Sequence, residues 1–191
     1  INENALFRHA VWGTKFRASP AADAAMFIDW LAMHTKDRTL RRRLESLERR
    51  ALDKIPANQP YSSSIGHAHL PNSPLVFGRV SEFVQQRHAE AKRLLANFDA
   101  EGVKLYRPSR DKPDYSSTHF AKHANGLAGR DMVGILEGAT LSADEELIKE
   151  ALELLDKQTT LYAGTVPRGA QTWEVPLHTP DILASAHMVK A

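Results

Sequence analysis

Apolar residues recur at steps of three and four along several stretches of this chain, and that spacing constrains the fold more than any other feature. The clearest series is Leu40, Leu44, Leu47, Ala51 and Ile55. A broader apolar stripe precedes it, made of Met26, Phe27, Trp30, Leu31 and Met33. Each series lies on one face of a helix, where it can pack against a neighbouring helix. The pattern predicts an all-α fold built from helical hairpins.

Capping and breaking residues set the expected limits of these helices. Ser19 and Ser142 are predicted N-caps, and Pro56 is predicted to end the second helix. The expected helices cover residues 20–35, 37–55, 75–98, 117–140 and 142–160, with another beginning at Thr179-Pro180-Asp181. Residues 56–74 predict a long loop rich in proline and serine. Residues 102–106 predict a short strand.

The last third of the chain contains a partial internal repeat. Residues 127–133 recur in part as residues 183–189, which favours stacked hairpins that bury their apolar faces against each other. Glycines at 126, 129, 134 and 138 predict close approach of a neighbouring helix. The final helix meets no stop signal before Ala191. We therefore expect residues 1–191 to be one helical-hairpin domain that continues as part of a larger protein.

Charge and composition narrow the function classes. The chain has 25 lysines and arginines against 23 acidic residues, a formal charge of +2, so no general field attracts nucleic acid or membranes. The local cluster Arg38, Arg41, Arg42, Arg43, Arg49 and Arg50 is interleaved with acidic residues and is interpreted as a solvated helix face, with an anionic partner as the alternative. The absence of cysteine excludes disulfides and thiol nucleophiles. We predict no nucleic-acid partner and no membrane partner.

The densest polar stretch is the loop of residues 165–181. It holds Arg168, Gln171, Trp173, Glu174, His178 and Asp181. Tryptophan offers a flat apolar face, while arginine and carboxylates offer directional hydrogen bonds, so the loop is a candidate binding rim. In the structural alternative Trp173 fills the core and Arg168 pairs with Glu174.

Histidines form two further candidate groups. His119 and His123 are four residues apart, a spacing that can bind a metal on a helix, but Lys122 stands where metalloproteases place a glutamate. We therefore predict no metal and no other cofactor, and assign His119 and Asn125 to sugar binding. A metalloenzyme remains the third option. His67 and His69 lie in the proline-rich loop and are interpreted as solvated.

The loop and the helix start that follows it, residues 166–187, resemble the junction between a loop and an inner helix in six-hairpin (α/α)-toroid proteins of bacterial polysaccharide metabolism. These include glycoside hydrolases, polysaccharide lyases and epimerases. The resemblance covers roughly the last 75 residues, from His119 onward. It implies that residues 119–125 and 168–181 face the mouth of a toroid, and that this chain is part of one.

That resemblance implies a carbohydrate-active protein. Hydrolysis would use the carboxylates of Glu174 and Asp181. Elimination would use His123 or His178 as the base, with Arg168, Gln171 or Asn125 neutralising a uronate carboxylate. Trp173 would bind substrate. The expected partners are carbohydrate and the remainder of the toroid, as a second chain or segment, and the expected compartment is periplasmic or extracellular. The alternative is a non-catalytic helical-repeat scaffold that binds protein or glycan.

Overall fold

The computed structural model describes residues 1–66, 70, 72–108, 110, 114 and 121–191. These residues form seven helices and no strand, which confirms the all-α prediction. The helices are α1 (Ala22–His34), α2 (Arg38–Leu52), α3 (Ser73–Phe77), α4 (Val80–Leu95), α5 (Asn125–Ser142), α6 (Glu145–Leu161) and α7 (Ile182–Lys190). The strand predicted at residues 102–106 is wrong, because that segment is an irregular loop.

The chain divides into two compact units, Ile1–Gln86 and Arg87–Ala191. The expectation of a single domain over residues 1–191 stays a prediction.

In the first unit, α1 and α2 pack together as a hairpin. The carboxylate of Asp37 caps α2 by accepting hydrogen bonds from the backbone N–H groups of Thr39 and Leu40, at 2.8 and 3.1 Å. The guanidinium of Arg41 donates to the carbonyls of Ala32 and Thr35, at 3.1 and 2.8 Å, so the first turn of α2 satisfies carbonyls at the end of α1. Ser19 is not the cap of α1, since α1 follows Ala21 without any side-chain cap.

The core face of α1 is made of small residues, contrary to the predicted apolar stripe. Ala22, Ala24, Ala25 and Ala32 are buried, and buried Asp23 accepts hydrogen bonds from the backbone of Leu70 and the hydroxyl of Ser73. The large side chains lie on the other faces, with Phe27, Trp30, Leu31 and Met33 each about half exposed or more. In α1 both the alanines and the large apolar residues recur at helical spacing, so the spacing did not show which face is buried.

The helix predicted over residues 75–98 is interrupted. Helix α3 ends before Gly78, and α4 begins at Val80. Gly78 and Arg79 both have left-handed φ values, 104° and 62°, which no helix can continue through. The Arg79 guanidinium donates to the carbonyls of Ile55, Pro56 and Gln59, and these contacts hold the break.

In the second unit, α5 and α6 form another hairpin and α7 packs on α5. Its core contains Ala91, Met132, Ile135, Ala139, Leu147, Ala151 and Leu154. Ser142 is not a cap, because it is the last residue of α5; the carboxylate of Asp144 caps α6 through the backbone N–H of Leu147 at 3.1 Å. The predicted start of α5 near residue 117 is also wrong, since residues 121–124 are not helical and the helix begins at Asn125.

Three of the four glycines of α5, Gly126, Gly134 and Gly138, mark close contacts as predicted, whereas Gly129 does not. A Cβ atom on Gly138 would stand 2.4 Å from the carbonyl oxygen of Arg87 and 2.6 Å from the Cβ of Ala91, and one on Gly126 would stand 2.4 Å from the Cβ of Ala184. Glycine therefore allows α4 to approach one face of α5 and α7 to approach another.

Candidate functional site

A histidine and a tyrosine meet at one end of the α5–α6 hairpin. His123 lies just before α5, and Tyr162 immediately follows α6. Because the start of one helix and the end of its hairpin partner lie at the same end, the two side chains come together although 39 positions separate them. The Nδ1 atom of His123 is 3.0 Å from the hydroxyl of Tyr162, and a proton can pass across a hydrogen bond of that length.

The surroundings keep both groups neutral near pH 7. Burial lowers the pKa of His123 below its ordinary value of 6.5, and the electrostatic effect of the neighbouring His178 and Arg168 lowers it further, while Asp99 opposes them. Burial raises the pKa of Tyr162 to about 12, partly offset by Arg168. A neutral imidazole is able to accept a proton, and a neutral phenol is able to donate one.

The loop after α6 brings Arg168 and His178 near this pair. The Nε2 atom of His178 is 2.9 Å from the carbonyl oxygen of Ala121, two residues before His123. The backbone of Arg168 is fixed on both sides, since its carbonyl accepts from Gly126 at 2.8 Å and its N–H donates to Asn125 at 2.9 Å. Its side chain is partly buried and acts electrostatically on both His123 and Tyr162.

Asn125 braces the loop. It is 3% exposed; its amide nitrogen donates to the hydroxyl of Thr165 and the carbonyl of Val166, and its oxygen accepts from Gly126 and Arg168. Two donors and two accepted bonds use the full capacity of a carboxamide. Asn125 therefore positions the loop, and its carboxamide has no hydrogen-bonding capacity left for a sugar.

Asp181 is also built into the backbone framework. One carboxylate oxygen accepts from the N–H of Ala184 at 2.7 Å and caps α7, and the other accepts from the N–H of Ala170 at 3.0 Å. A helix does follow Thr179-Pro180-Asp181, as predicted, but its first residue is Ile182 and its cap is Asp181, so the assignment of Thr179 as the cap and of Asp181 to the first turn is wrong.

The middle of the loop is a turn that faces outward. The carbonyl of Gln171 accepts from the backbone of Glu174 and Val175, while Glu174 is exposed. Trp173 is 37% exposed, so the alternative in which it fills the core is wrong. The side chains of Trp173 and Glu174 therefore lie on the exposed part of the loop, and neither forms part of the His123–Tyr162 contact.

The remaining histidine predictions cannot be placed. His119, His67 and His69 lie outside the described residues. Within the part of the chain that is described, no group of three His, Asp or Glu side chains is arranged to hold a metal ion.

Tyr162 was missed by the sequence reasoning. Its only local signal is its position after the last apolar turn of α6 and before Gly164, which takes a left-handed φ of 69°. A polar aromatic residue at a helix end, on the hairpin that carries His123, would have been the clue. It also lines a cavity of about 270 Å³ with Met132, Gln158 and Met188.

No family of known proteins, no curated protein and no solved structure matches this chain. Among the described helices, none combines the length and the apolar character needed to cross a bilayer.

Proposed function

We propose that this protein acts on acidic carbohydrate by elimination across a glycosidic bond, and that it is part of an (α/α) toroid. The observation that carries the proposal is the 3.0 Å contact between His123 Nδ1 and the Tyr162 hydroxyl. The two helical hairpins, α1–α2 and α5–α6, support the toroid. A periplasmic or extracellular location is the compartment that polysaccharide substrates imply.

In this mechanism the two neutral groups take opposite roles. Nε2 of His123 removes the proton alpha to the uronate carboxylate, and the C–H electron pair forms the new carbon–carbon double bond. The bond to the leaving oxygen breaks, and the Tyr162 hydroxyl gives its proton to that oxygen. The Nδ1 proton of the imidazolium then crosses to the phenolate, which leaves both groups neutral. Proton exchange with solvent returns the imidazole to the Nδ1–H tautomer for the next cycle. Arg168 supplies positive charge for the carboxylate as negative charge develops.

Elimination fits the geometry better than hydrolysis. A hydrolase needs two available carboxyl groups on either side of the bond, about 5 to 9.5 Å apart. Asp181 already accepts two backbone hydrogen bonds in capping α7 and holding Ala170, which leaves it poorly suited to proton transfer. Glu174 remains the one carboxylate of the predicted pair that is exposed.

Incubation with uronate polysaccharides tests the proposal. Elimination produces an unsaturated uronate that absorbs in the ultraviolet, whereas hydrolysis produces new reducing ends without that absorption. We expect ultraviolet product from uronate substrates. The rate should fall in acid as His123 is protonated, and because burial lowers its pKa, that fall should lie at a lower pH than the ordinary imidazole value of 6.5. Reducing ends without the absorption would overturn the mechanism.

Tyr162→Phe is the sharpest variant, because it removes one hydroxyl and keeps the ring. The rate should fall by about a hundredfold or more, the usual loss when a general acid is removed. Tyr61→Phe removes a phenolic hydroxyl in the first unit and should leave the rate unchanged. Equal rates for the parent protein and Tyr162→Phe would exclude the proton relay.

A non-catalytic scaffold is the second candidate, and one observation favours it. Helix α1 exposes the large apolar side chains of Phe27, Trp30, Leu31 and Met33. Exposed apolar side chains grouped on one short helix are typical of a surface that binds a partner. A scaffold would bind glycan or protein with no product formed from any polysaccharide. In that case Tyr162→Phe would alter binding or folding only.

A further inference from the structure

A second cavity in the Arg87–Ala191 unit is lined mostly by polar groups. Its volume is about 520 Å³, within the roughly 300–1,000 Å³ typical of small-ligand sites. Its lining includes Asn97, Asp99, Lys104, Arg107, Arg130 and Thr172. None of the site predictions made from the sequence falls on these residues.

The cavity carries an excess of positive charge. The Nζ atom of Lys104 is 2.5 Å from Oδ2 of Asp131, so those two charges neutralise each other. One oxygen of Asp99 accepts from the backbone N–H groups of Glu101 and Val103, which directs that carboxylate toward its own loop. The guanidinium groups of Arg107 and Arg130 are therefore the source of the excess positive charge.

These two arginines are available to a ligand. Arg107 is exposed and forms no hydrogen bond or ion pair with any residue in the described part of the chain. Arg130 is also exposed. Its Nε atom is 3.9 Å from Asp131, and its terminal nitrogens form no hydrogen bond with any residue that the structure describes. Planar guanidinium groups bind carboxylates through two parallel hydrogen bonds.

The cavity adjoins the histidine–tyrosine pair through shared backbone. The N–H of Tyr106, the residue before Arg107, donates to the carbonyl of Lys122, the residue before His123, at 2.6 Å. Thr172 lies on the same loop that supplies Arg168 and His178. The cavity and the histidine–tyrosine pair are therefore built on adjoining segments of the chain.

We propose that this cavity is a neighbouring subsite that binds the carboxylate of an adjacent acidic sugar through Arg107 and Arg130. The inference rests on the proposed function, because it takes the ligand to be the same acidic chain. Asn97 and Thr172 line the same cavity. The Asn97 amide already donates a hydrogen bond to Asp131, so the hydroxyl of Thr172 is the group that faces the sugar hydroxyl groups in this proposal.

The experiment compares a trimer of galacturonic acid with the neutral trimer in which every carboxyl group is reduced to a hydroxymethyl group. Calorimetric titration measures both affinities in Tyr162→Phe protein, which spares the acidic trimer from turnover. Arg107→Gln and Arg130→Gln should each weaken binding of the acidic trimer about tenfold or more, since each removes a charged hydrogen-bonding partner. Arg107→Lys should recover part of the loss. Arg42→Gln, which removes an equally exposed charge from α2, should change nothing.

Three results would overturn the subsite: no binding of the acidic trimer, equal affinity for the two trimers, or affinities untouched by both arginine variants. Formation of the ultraviolet-absorbing product is measured separately, with the parent protein that retains Tyr162. Product without any dependence on the arginines would reject the subsite and keep the proposed function. Arginine-dependent binding without product would keep the acidic-sugar subsite and reject elimination.

Discussion

Lys104 and Asp131 form an ion pair of 2.5 Å that is almost removed from water, with side chains 13% and 5% exposed. Asn97 donates a further hydrogen bond to the same carboxylate oxygen at 3.0 Å. Burial lowers the pKa of Lys104, and the bond to Asp131 opposes that change. The pair joins the loop after α4 to the middle of α5.

Breaking this pair on one side should be costly. Lys104→Met leaves a buried carboxylate without its cation, and we expect the free energy of unfolding to fall by about 3–5 kcal/mol. Urea denaturation followed by circular dichroism measures the loss. Lys92→Met is the control: Lys92 lies 3.1 Å from Asp144 but is 56% exposed, so its loss should be below about 1 kcal/mol. Similar losses for both variants would contradict the assignment of Lys104 as a buried partner.

Two glycines of α5 should respond oppositely to alanine. Gly138→Ala places a methyl group 2.4 Å from the carbonyl oxygen of Arg87, so the helices must separate and stability should fall. Gly129→Ala meets its nearest atoms at 3.6 Å, an ordinary contact, and should gain roughly 0.5–1 kcal/mol from helix propensity. Denaturation midpoints compare the two variants directly. The close-packing argument fails if Gly138→Ala is as stable as Gly129→Ala.

Asp181 should behave as a structural residue. Asp181→Ala removes the cap of α7 and the bond to Ala170, and we expect a loss of about 1–2 kcal/mol. Glu174→Gln changes an exposed side chain and should alter stability by less than about 0.5 kcal/mol. Thermal unfolding of both variants tests the contrast. If the protein were a hydrolase, Glu174→Gln would instead abolish turnover while leaving the protein folded.

The stability of the protein should fall in mild acid partly through His123. Its folded-state pKa lies below the ordinary value of 6.5, so below pH 6.5 the unfolded chain binds more protons than the folded one. The contribution of His123 is therefore complete above pH 6.5 and is lost as the pH falls through the folded-state value. His187 shifts in the same direction.

Urea titrations at a series of pH values check this dependence. His123→Gln has no imidazole to protonate and should show a shallower decline in unfolding free energy below pH 6.5. Parallel declines in the parent and in His123→Gln would show that His123 does not contribute.

The helices were largely predictable because their signals are local. The spacing of Leu40, Leu44 and Leu47 identified α2, and the sequence Thr179-Pro180-Asp181 identified the helix that became α7, although not its cap. The errors occurred where local signals compete: Ser142 and Asp144 are both good capping residues, and the packing of α6 selected Asp144. The break at Gly78 and Arg79 depends on the carbonyl groups that Arg79 reaches in another segment, which no local pattern reveals.

The sequence predicted only some of the residues of the candidate site. The loop of residues 165–181 was identified from its residue types, and the structure places Arg168 and His178 near His123. Tyr162 was absent from the prediction because its partner is distant along the chain. Asn125 has the polarity of a binding residue, but its hydrogen bonds are used by the loop.

The sequence by itself determined the helical class, most of the helices and most of the positions where helices approach closely. Those features follow from the 3.6-residue period, from capping chemistry and from the missing side chain of glycine, all of which act over a few residues. Only the tertiary structure decided which face of α1 is buried, which carboxylates are occupied, and that His123 lies beside Tyr162. These outcomes depend on contacts between segments far apart in the chain, where burial and hydrogen-bond capacity are shared among competing partners.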